Sequence, residues 1–434
     1  MPRLPLQGAP WLGVVLGLMI VDLPAARAAV FRVGAGGTHG TIQEAVDAAA
    51  ASDGDDEIRI RAGAHSGPVF ALLLRAGSNG LDISGGWNAS FSSAGSDPGA
   101  TVVTGDDSDS TLSVNAYGQA FSIRNLTLRR GNAGLNLSAT DGSVSVSRCV
   151  FRDNRTGVTL RMYSASLAFT DNVATLNRRG RGVLLTGDGV ATLVARNNQI
   201  TSNSLAMPAG NSVAGGGAYV SLRDEATAVF EDNKVVGNAL EVGGVAWFGS
   251  GLNLSASGAS RLVARRNLVS ANKDLNAGTP TTAQLEIFAA GGASVLASEF
   301  VVAAGSTTRE SGVRVVVFEA GQAFLANFTV VDSGKLGVRA TESDSGRIVI
   351  SNTIVSGHSP NLSLPAGVER FSMLGGTGDP RFVNRATGNY RLRSTSSAVN
   401  RGRPVPPGGL GPLDFDRTAR VKGGRVDIGA FESF

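Results

Sequence analysis

The sequence LAFTDNVATLN at residues 167–177 returns as LVARNNQITSN at 193–203, as AVFEDNKVVGN at 228–238 and as LVARRNLVSAN at 262–272. Weaker copies precede and follow these four, and nine repeats align on one reference position. The nine reference residues are Asn125, Arg148, Asp171, Asn197, Asp232, Arg266, Ser298, Asn327 and Asn352. Neighbouring references lie 23 to 35 residues apart, which indicates one short structural coil per repeat, lengthened in the middle of the chain.

Each repeat carries apolar residues at fixed offsets from its reference, such as Phe169 two positions before Asp171 and Ala174 three positions after it. Further alternating segments opened by glycine, such as GVTL at 157–160, lie between the repeats. Alternation with β-branched residues predicts strands rather than helices. One coil cannot bury its apolar edge alone, whereas stacked coils share a continuous core. The predicted fold is therefore an all-β solenoid, a parallel β-helix in which each coil adds one short strand to each sheet.

Asparagine recurs at two further offsets. Asn172, Asn198, Asn233 and Asn267 follow the reference by one residue, and Asn154, Asn177, Asn203, Asn238 and Asn272 follow it by six. Equivalent turn residues of stacked coils lie above one another, so their amides can hydrogen-bond along the stack. Asparagine also tolerates left-handed turn conformations. We therefore interpret both series as structural ladders rather than ligand-binding groups.

Composition limits the classes of partner. The chain has 434 residues, 58 glycines and only 17% charged residues, with a formal net charge of +4. Acidic and basic residues interleave, and no basic stripe of the kind that binds nucleic acid is present. The single cysteine, Cys149, has no His or Asn patterned around it, and we interpret it as a core residue.

The N-terminus has the pattern of an export signal. Arg3 precedes an apolar run of 11 residues at 11–21, and Ala26-Arg27-Ala28 then forms a small-x-small cleavage site. The run is too short to span a bilayer. We predict a signal peptide at residues 1–28, a mature chain that begins at Ala29, and a protein that is secreted or held at the cell surface without a transmembrane segment.

The two ends of the chain carry a resemblance. VFRVGAGGTHGTIQEAVDAAAASDGDDEIRIRAG at 30–63 is similar to the N-terminal cap of the pectate-lyase-like superfamily of right-handed β-helices, and its predicted helix has a capping box, Thr41 with Glu44. ISGGWNASF at 83–91 resembles an early segment of bacterial members. GDPRFVN at 378–384 and DFDRTARVKGGRVDIGAFE at 414–432 resemble the C-terminal tail of bacterial secreted and surface β-helix proteins. The resemblance implies a right-handed helix with a short capping helix. It implies a cap and first coil at 29–66, a β-helix at 67–365 and a capping tail at 366–434.

Fold does not determine function, and the superfamily contains lyases, hydrolases, esterases and epimerases of acidic polysaccharides beside adhesins. No catalytic signature of these enzymes is evident. Asp55-Asp56 and Asp106-Asp107 are isolated pairs near turns. Asp171, Asn197 and Asp232 share a register and could form a weak oxygen-rich face, although an outward polar strand position is the simpler interpretation. With three histidines in all, no metal site and no cofactor are predicted.

Three consecutive coils are lengthened after the same turn, at 204–216, 239–250 and 273–283. Because coils stack, these insertions should emerge on one side as a wall beside a strand face, and loops on a rigid scaffold often bind ligands. The candidate ligand-binding residues are Trp247, Phe248, Arg223, Lys273 and Asp274. The two aromatic residues could stack on sugar rings, or they could pin their loop to the solenoid.

Two functions remain open. The first is a non-catalytic exported β-helix that binds polysaccharide or cell-surface ligands. The second is a polysaccharide lyase or related enzyme that acts on uronic-acid polymers. The missing catalytic signatures favour the first, while a cluster of arginine and carboxylate beneath the inserted loops would favour the second.

Overall fold

A computed structural model describes residues 28–73, 80–207, 215–242, 249–275, 282–305, 310–343, 345–375 and 379–433. It confirms the predicted fold, a right-handed parallel β-helix. The chain passes in turn through three long parallel sheets, here called sheet 1, sheet 2 and sheet 3, and each coil adds one strand to each sheet. No helix in the described part of the chain is long and apolar enough to cross a membrane.

The strands are short, as the repeat length requires. Sheet 1 contains Val30–Val33, Asp56–Arg61, Leu81–Trp87, Ala120–Arg124, Ser143–Ser147, Ser166–Thr170, Thr192–Arg196, Thr227–Glu231, Arg261–Arg265, Ser294–Ser298, Gln322–Ala326, Arg347–Ser351 and Glu369–Phe371. Sheet 2 contains Gly63–Ser66, Thr101–Thr104, Thr127–Arg129, Val150–Arg152, Val173–Thr175, Gln199–Thr201, Lys234–Val236, Leu268–Ser270, Val301–Ala303, Thr329–Val331, Ile354–Ser356 and Leu374–Gly375. Sheet 3 contains Val69–Leu73, Leu112–Tyr117, Ala133–Thr140, Thr156–Tyr163, Val183–Asp188, Ala218–Leu222, Leu252–Ala256, Ala283–Ala289, Ser311–Val317, Leu336–Glu342 and Leu362–Ser363.

The core lies between the three sheets and is built from the inward half of each alternating strand. Equivalent residues of successive coils stack, as the rings of Phe300 and Phe328 do at a centroid distance of 5.0 Å. Cys149 is buried in this core, as predicted, and its burial raises the pKa of its thiol to about 12. Such a thiol is inert at neutral pH.

Both asparagine ladders are structural, as predicted. In each ladder the side-chain oxygen of one asparagine accepts bonds from the main-chain N–H and the side-chain amide of the asparagine one coil earlier. Asn238 Oδ1, for example, accepts from Asn203 N at 3.0 Å and from Asn203 Nδ2 at 2.9 Å. Every asparagine of the two ladders is buried. Gln284 ends the second ladder, because its Oε1 accepts from Asn272 N at 3.1 Å.

The ladder explains the glycines that open the strands of sheet 3. A Cβ atom at Gly182 would lie 2.5 Å from Nδ2 of Asn203, and one at Gly251 would lie 2.5 Å from Nδ2 of Asn272. Contacts this short are not tolerated. These positions therefore need glycine for close approach of the side-chain ladder.

The structure corrects two details of the repeat. Arg266 is followed one coil later by Glu299 rather than by Ser298, because Arg265 pairs with Ser298. The reference residues are also turn residues and not outward strand positions, since Asn197 and Asp232 both have positive φ, 57° and 58°. Their backbone is left-handed, which asparagine and aspartate adopt more readily than most residues.

The two ends of the solenoid are covered. The helix Ile42–Ala51 has the predicted capping box. The amide of Gln43 bonds both main-chain groups of Phe70, the N–H at 2.8 Å and the C=O at 3.1 Å. A side chain thus substitutes for a missing neighbouring strand at the edge of sheet 3.

The tail, residues 379–433, turns back along the solenoid. It contains a two-stranded antiparallel sheet of Phe382–Asn384 and Asn389–Leu392, and a 3₁₀ turn at Arg385–Thr387. Arg403 exchanges two hydrogen bonds with the side chain of Asn352, at 2.7 and 3.0 Å. Further along, Arg417 Nη2 donates to Asn197 Oδ1 at 2.7 Å. The tail therefore spans the coils that lie between these two contacts.

Candidate functional site

The three insertions emerge on one side of the solenoid. Their first residues form a short parallel sheet of Ser204–Met207, Ala239–Val242 and Lys273–Asp274, here called the loop sheet. Leu205 and Leu240 of this sheet are buried, which anchors it to the solenoid. Each insertion leads into the next strand of sheet 3, so the loop sheet borders the beginning of those strands.

Three polar residues occupy the first outward position of consecutive strands of sheet 3, next to the loop sheet. Asn253 pairs in register with Glu286, and Glu286 pairs with Arg314. Arg314 Nη1 lies 3.3 Å from each carboxylate oxygen of Glu286, and Glu286 is only 2% exposed. Burial raises the pKa of Glu286 to about 7, against the opposing effect of Arg314. This carboxyl group is therefore poised to exchange a proton near neutral pH.

Asn253 adds an unused acceptor beside this pair. Its side chain is buried, and its Oδ1 has no hydrogen-bond donor among the described residues. A buried polar atom without a partner is uncommon in folded proteins. The protonated form of Glu286 carries an O–H group that could serve such an acceptor, or a ligand hydroxyl could do so.

A second cation, Arg181, lies just before the strand Val183–Asp188, three strands earlier than the strand of Glu286. The guanidinium of Arg181 stands 5.5 Å from the ring centre of Tyr219, which occupies the first outward position of its strand. Burial lowers the pKa of Arg181 below its ordinary value. The border between the loop sheet and sheet 3 thus holds two arginines, one carboxylate and one tyrosine.

The structure places the sequence-predicted residues in different locations. Lys273 is exposed at the start of its loop-sheet strand, and the neighbouring Asp274 accepts a bond from Thr282 Oγ1 at 2.7 Å. Arg223 follows the opposite end of the strand Ala218–Leu222, where its Nε lies 4.0 Å from Asp188. It is therefore not brought together with the loop sheet. Trp247 and Phe248 lie outside the described residues.

Sequence reasoning missed Glu286 and Arg314. A signal for them exists, because each is the one charged residue of a mostly apolar strand, in AQLEIFA at 283–289 and in SGVRVVV at 311–317. Within the described ranges, no group of three or more His, Cys, Asp or Glu side chains is placed to hold a metal ion.

Comparison with family models agrees with this architecture over part of the chain. Residues 73–225 match the family model described as the right handed beta helix region. No curated protein matches the sequence. Among solved structures, pectate lyase Pel9A is similar at 12% identity and a TM-score of 0.48, over 94% of this chain and 98% of that chain. DFA-IIIase from Arthrobacter chlorophenolicus A6 is similar at 12% identity and a TM-score of 0.35, over 87% and 98%. The family match agrees with the three parallel sheets described above, and the chain is a right-handed parallel β-helix protein.

Proposed function

We propose that this protein binds an extended polysaccharide on the outward face of sheet 3, beside the loop sheet, and that it does so outside the cell. The observation that carries the proposal is the outward face of sheet 3, which has polar residues at most outward positions and the three strands of the loop sheet along part of one border. The export pattern at residues 1–28 supports an extracellular ligand.

The dimensions of the face suit a polymer. Sheet 3 has 11 strands, and neighbouring strands lie about 4.8 Å apart, so the face is roughly 50 Å long. It is rigid because every strand except the two at the ends of the sheet is held by parallel pairing on both sides. A long, rigid, shallow surface is what solenoid proteins use to bind extended ligands.

Lys273→Ala tests the proposal. Lys273 is exposed on the loop sheet, and Lys234 is an exposed lysine on sheet 2 that serves as a matched control. Affinity would be measured by gel retardation and calorimetry with polygalacturonate, alginate and xylan. We expect Lys273→Ala to weaken binding of the acidic polymers, while Lys234→Ala leaves it unchanged. Equal affinities for both variants and the wild type would place binding elsewhere, and no binding of any polymer would refute the proposal.

One observation favours a second function, an enzyme that acts on uronic-acid polymers. Glu286 and Arg314 form an arginine–carboxylate pair beside the loop sheet, the kind of cluster that this function requires. A lyase removes the proton next to the uronate carboxylate and breaks the C–O bond to the next sugar, which leaves a C=C bond. A base with a pKa near 7 suits the first step, and an arginine can stabilise the charge that develops on the uronate.

The two functions separate in one assay. Wild-type protein is incubated with polygalacturonate or alginate, and the unsaturated product is followed by its ultraviolet absorbance. Product that Glu286→Gln abolishes, with polymer affinity retained, would establish the enzyme. Tight binding without product would leave the binding function alone.

A further inference from the structure

A group of exposed aromatic side chains lies on sheet 3 away from the loop sheet. Among the aromatic residues of the described ranges, only Phe70, Tyr117 and Tyr163 are exposed, with 50%, 49% and 44% of their surface accessible. All three lie on the outward face of sheet 3, within its first four strands. Single exposed aromatics are ordinary, but their concentration on one face marks an interaction surface.

The register places the two tyrosines in one column. Tyr117 pairs with Thr140, and Thr140 pairs with Tyr163, so the tyrosines lie two coils apart. Two coils correspond to about 10 Å along the solenoid. That spacing is close to the length of a disaccharide unit, and every second sugar of an extended chain could therefore meet a tyrosine ring.

The neighbouring column supplies hydrogen-bonding groups and one charge. Its members in the three strands of Tyr117, Thr140 and Tyr163 are Asn115, Ser138 and Arg161. Arg161 Nη1 donates to Asn136 Oδ1 at 3.1 Å, and Arg161 has no ion pair within the described part of the chain. It is the only ionisable side chain besides the tyrosines in the first four strands of sheet 3. No carboxylate lies in these four strands to pair with its positive charge.

The tyrosine column ends at a carboxylate. Tyr163 pairs with Asp188, which lies 4.0 Å from Arg223. In the next strand this column therefore holds the carboxylate of Asp188, close to Arg223, instead of an aromatic ring. The tyrosine column is therefore confined to the strands from Leu112–Tyr117 to Thr156–Tyr163.

From these contacts we infer that Tyr117, Tyr163 and Arg161 form a binding subsite for an acidic polysaccharide that runs along the solenoid axis. Sugar rings stack on the tyrosines, and a uronate carboxylate pairs with Arg161. The inference rests on the proposed function, since the same chain would continue along sheet 3 towards the loop sheet. Four strand steps, about 19 Å, separate Tyr163 from Glu286.

The test uses Tyr117→Ala, Tyr163→Ala, the double variant and Arg161→Gln in the full chain. Leu176→Ala removes an exposed apolar side chain of the turn after sheet 2 and is the matched control. Affinities are measured for polygalacturonate, for oligogalacturonates of increasing length and for neutral xylan. Circular dichroism verifies that each variant is folded.

Each tyrosine substitution should weaken binding of polygalacturonate about three- to tenfold, and the double variant by roughly the product of the two factors. Arg161→Gln should weaken binding of polygalacturonate but not of xylan. Wild-type affinity in both tyrosine variants, with polygalacturonate still bound, would overturn the subsite and leave the proposed function standing. Equal loss for both polymers in Arg161→Gln would overturn the acidic specificity. Absence of any polymer binding by the wild type would overturn the subsite and the proposed function together.

Discussion

Asn238→Ala should destabilise the protein strongly, although the residue is small. Its side chain takes part in four hydrogen bonds. Oδ1 accepts from Asn203 N and Asn203 Nδ2, and Nδ2 donates to Ile200 O and Asn272 Oδ1, each at 2.9 to 3.0 Å. The substitution removes all four in a region without access to water.

The magnitude follows from the groups left behind. Asn203 loses the acceptor of its main-chain N–H and of one side-chain N–H. A buried donor without a partner costs about 1–3 kcal/mol, so these two groups together lower the free energy of unfolding by about 2–6 kcal/mol. Ile200 O and Asn272 Oδ1 each lose one of their donors and add to the effect.

Urea unfolding followed by circular dichroism measures this change. Asn115→Ala is the control, because Asn115 is an exposed asparagine on the outward face of sheet 3, where substitutions usually change stability by less than about 0.5 kcal/mol. A midpoint for Asn238→Ala that matches the wild type and Asn115→Ala would show that the ladder does not support the fold.

Three further predictions concern the proton-exchanging carboxyl, the thiol and the N-terminus. In the folded protein the pKa of Glu286 is about 7, above its ordinary value of 4.5. The stability that its protonated form contributes is therefore complete below pH 4.5 and is lost as the pH rises through 7. This loss lowers the free energy of unfolding by up to about 3 kcal/mol. Glu286→Gln should abolish this pH dependence in urea unfolding, and an unchanged profile would contradict the assignment. Cys149 should resist thiol reagents in the native protein and react only after unfolding, because it is buried with a pKa of about 12; rapid modification without unfolding would disagree. Mass spectrometry of the secreted protein should give Ala29 as the first residue, and retention of residues 1–28 would refute the predicted cleavage.

The repeat could be predicted from the sequence wherever a chemical landmark recurs. Asn198, Asn233 and Asn267 are such landmarks, because stacked asparagines hydrogen-bond from one coil to the next. The predicted alignment is wrong by one residue in the next coil. There Phe300 occupies the position equivalent to Asn267, so the coil has no ladder asparagine to mark the register. In that coil the segment SVLASEFVVAA offers alternating residues in either register, and the pairing of Arg265 with Ser298 decides between them.

The candidate site was less accessible to sequence reasoning. Insertions are visible in a sequence, and the predicted ligand-binding residues Trp247 and Lys273 belong to two of them. Glu286 and Arg314 belong to strands and are 28 positions apart in the sequence. Whether they meet depends on how many of the intervening residues belong to turns and insertions. This number varies from coil to coil. Only the register of sheet 3 brings the two side chains together.

The tail has a consequence for how the molecule comes apart. An open solenoid frays at its ends, since the last coil is held by one neighbour only. Here the contact of Arg417 with Asn197 closes a loop of 220 residues, and Arg403 binds Asn352 on the way. While these two contacts of the tail are formed, the final coils cannot unfold one at a time. We therefore expect them to unfold together in one cooperative step. Contacts between residues this distant in the sequence slow folding and form late. We therefore expect docking of the tail on the solenoid to be the last step of folding.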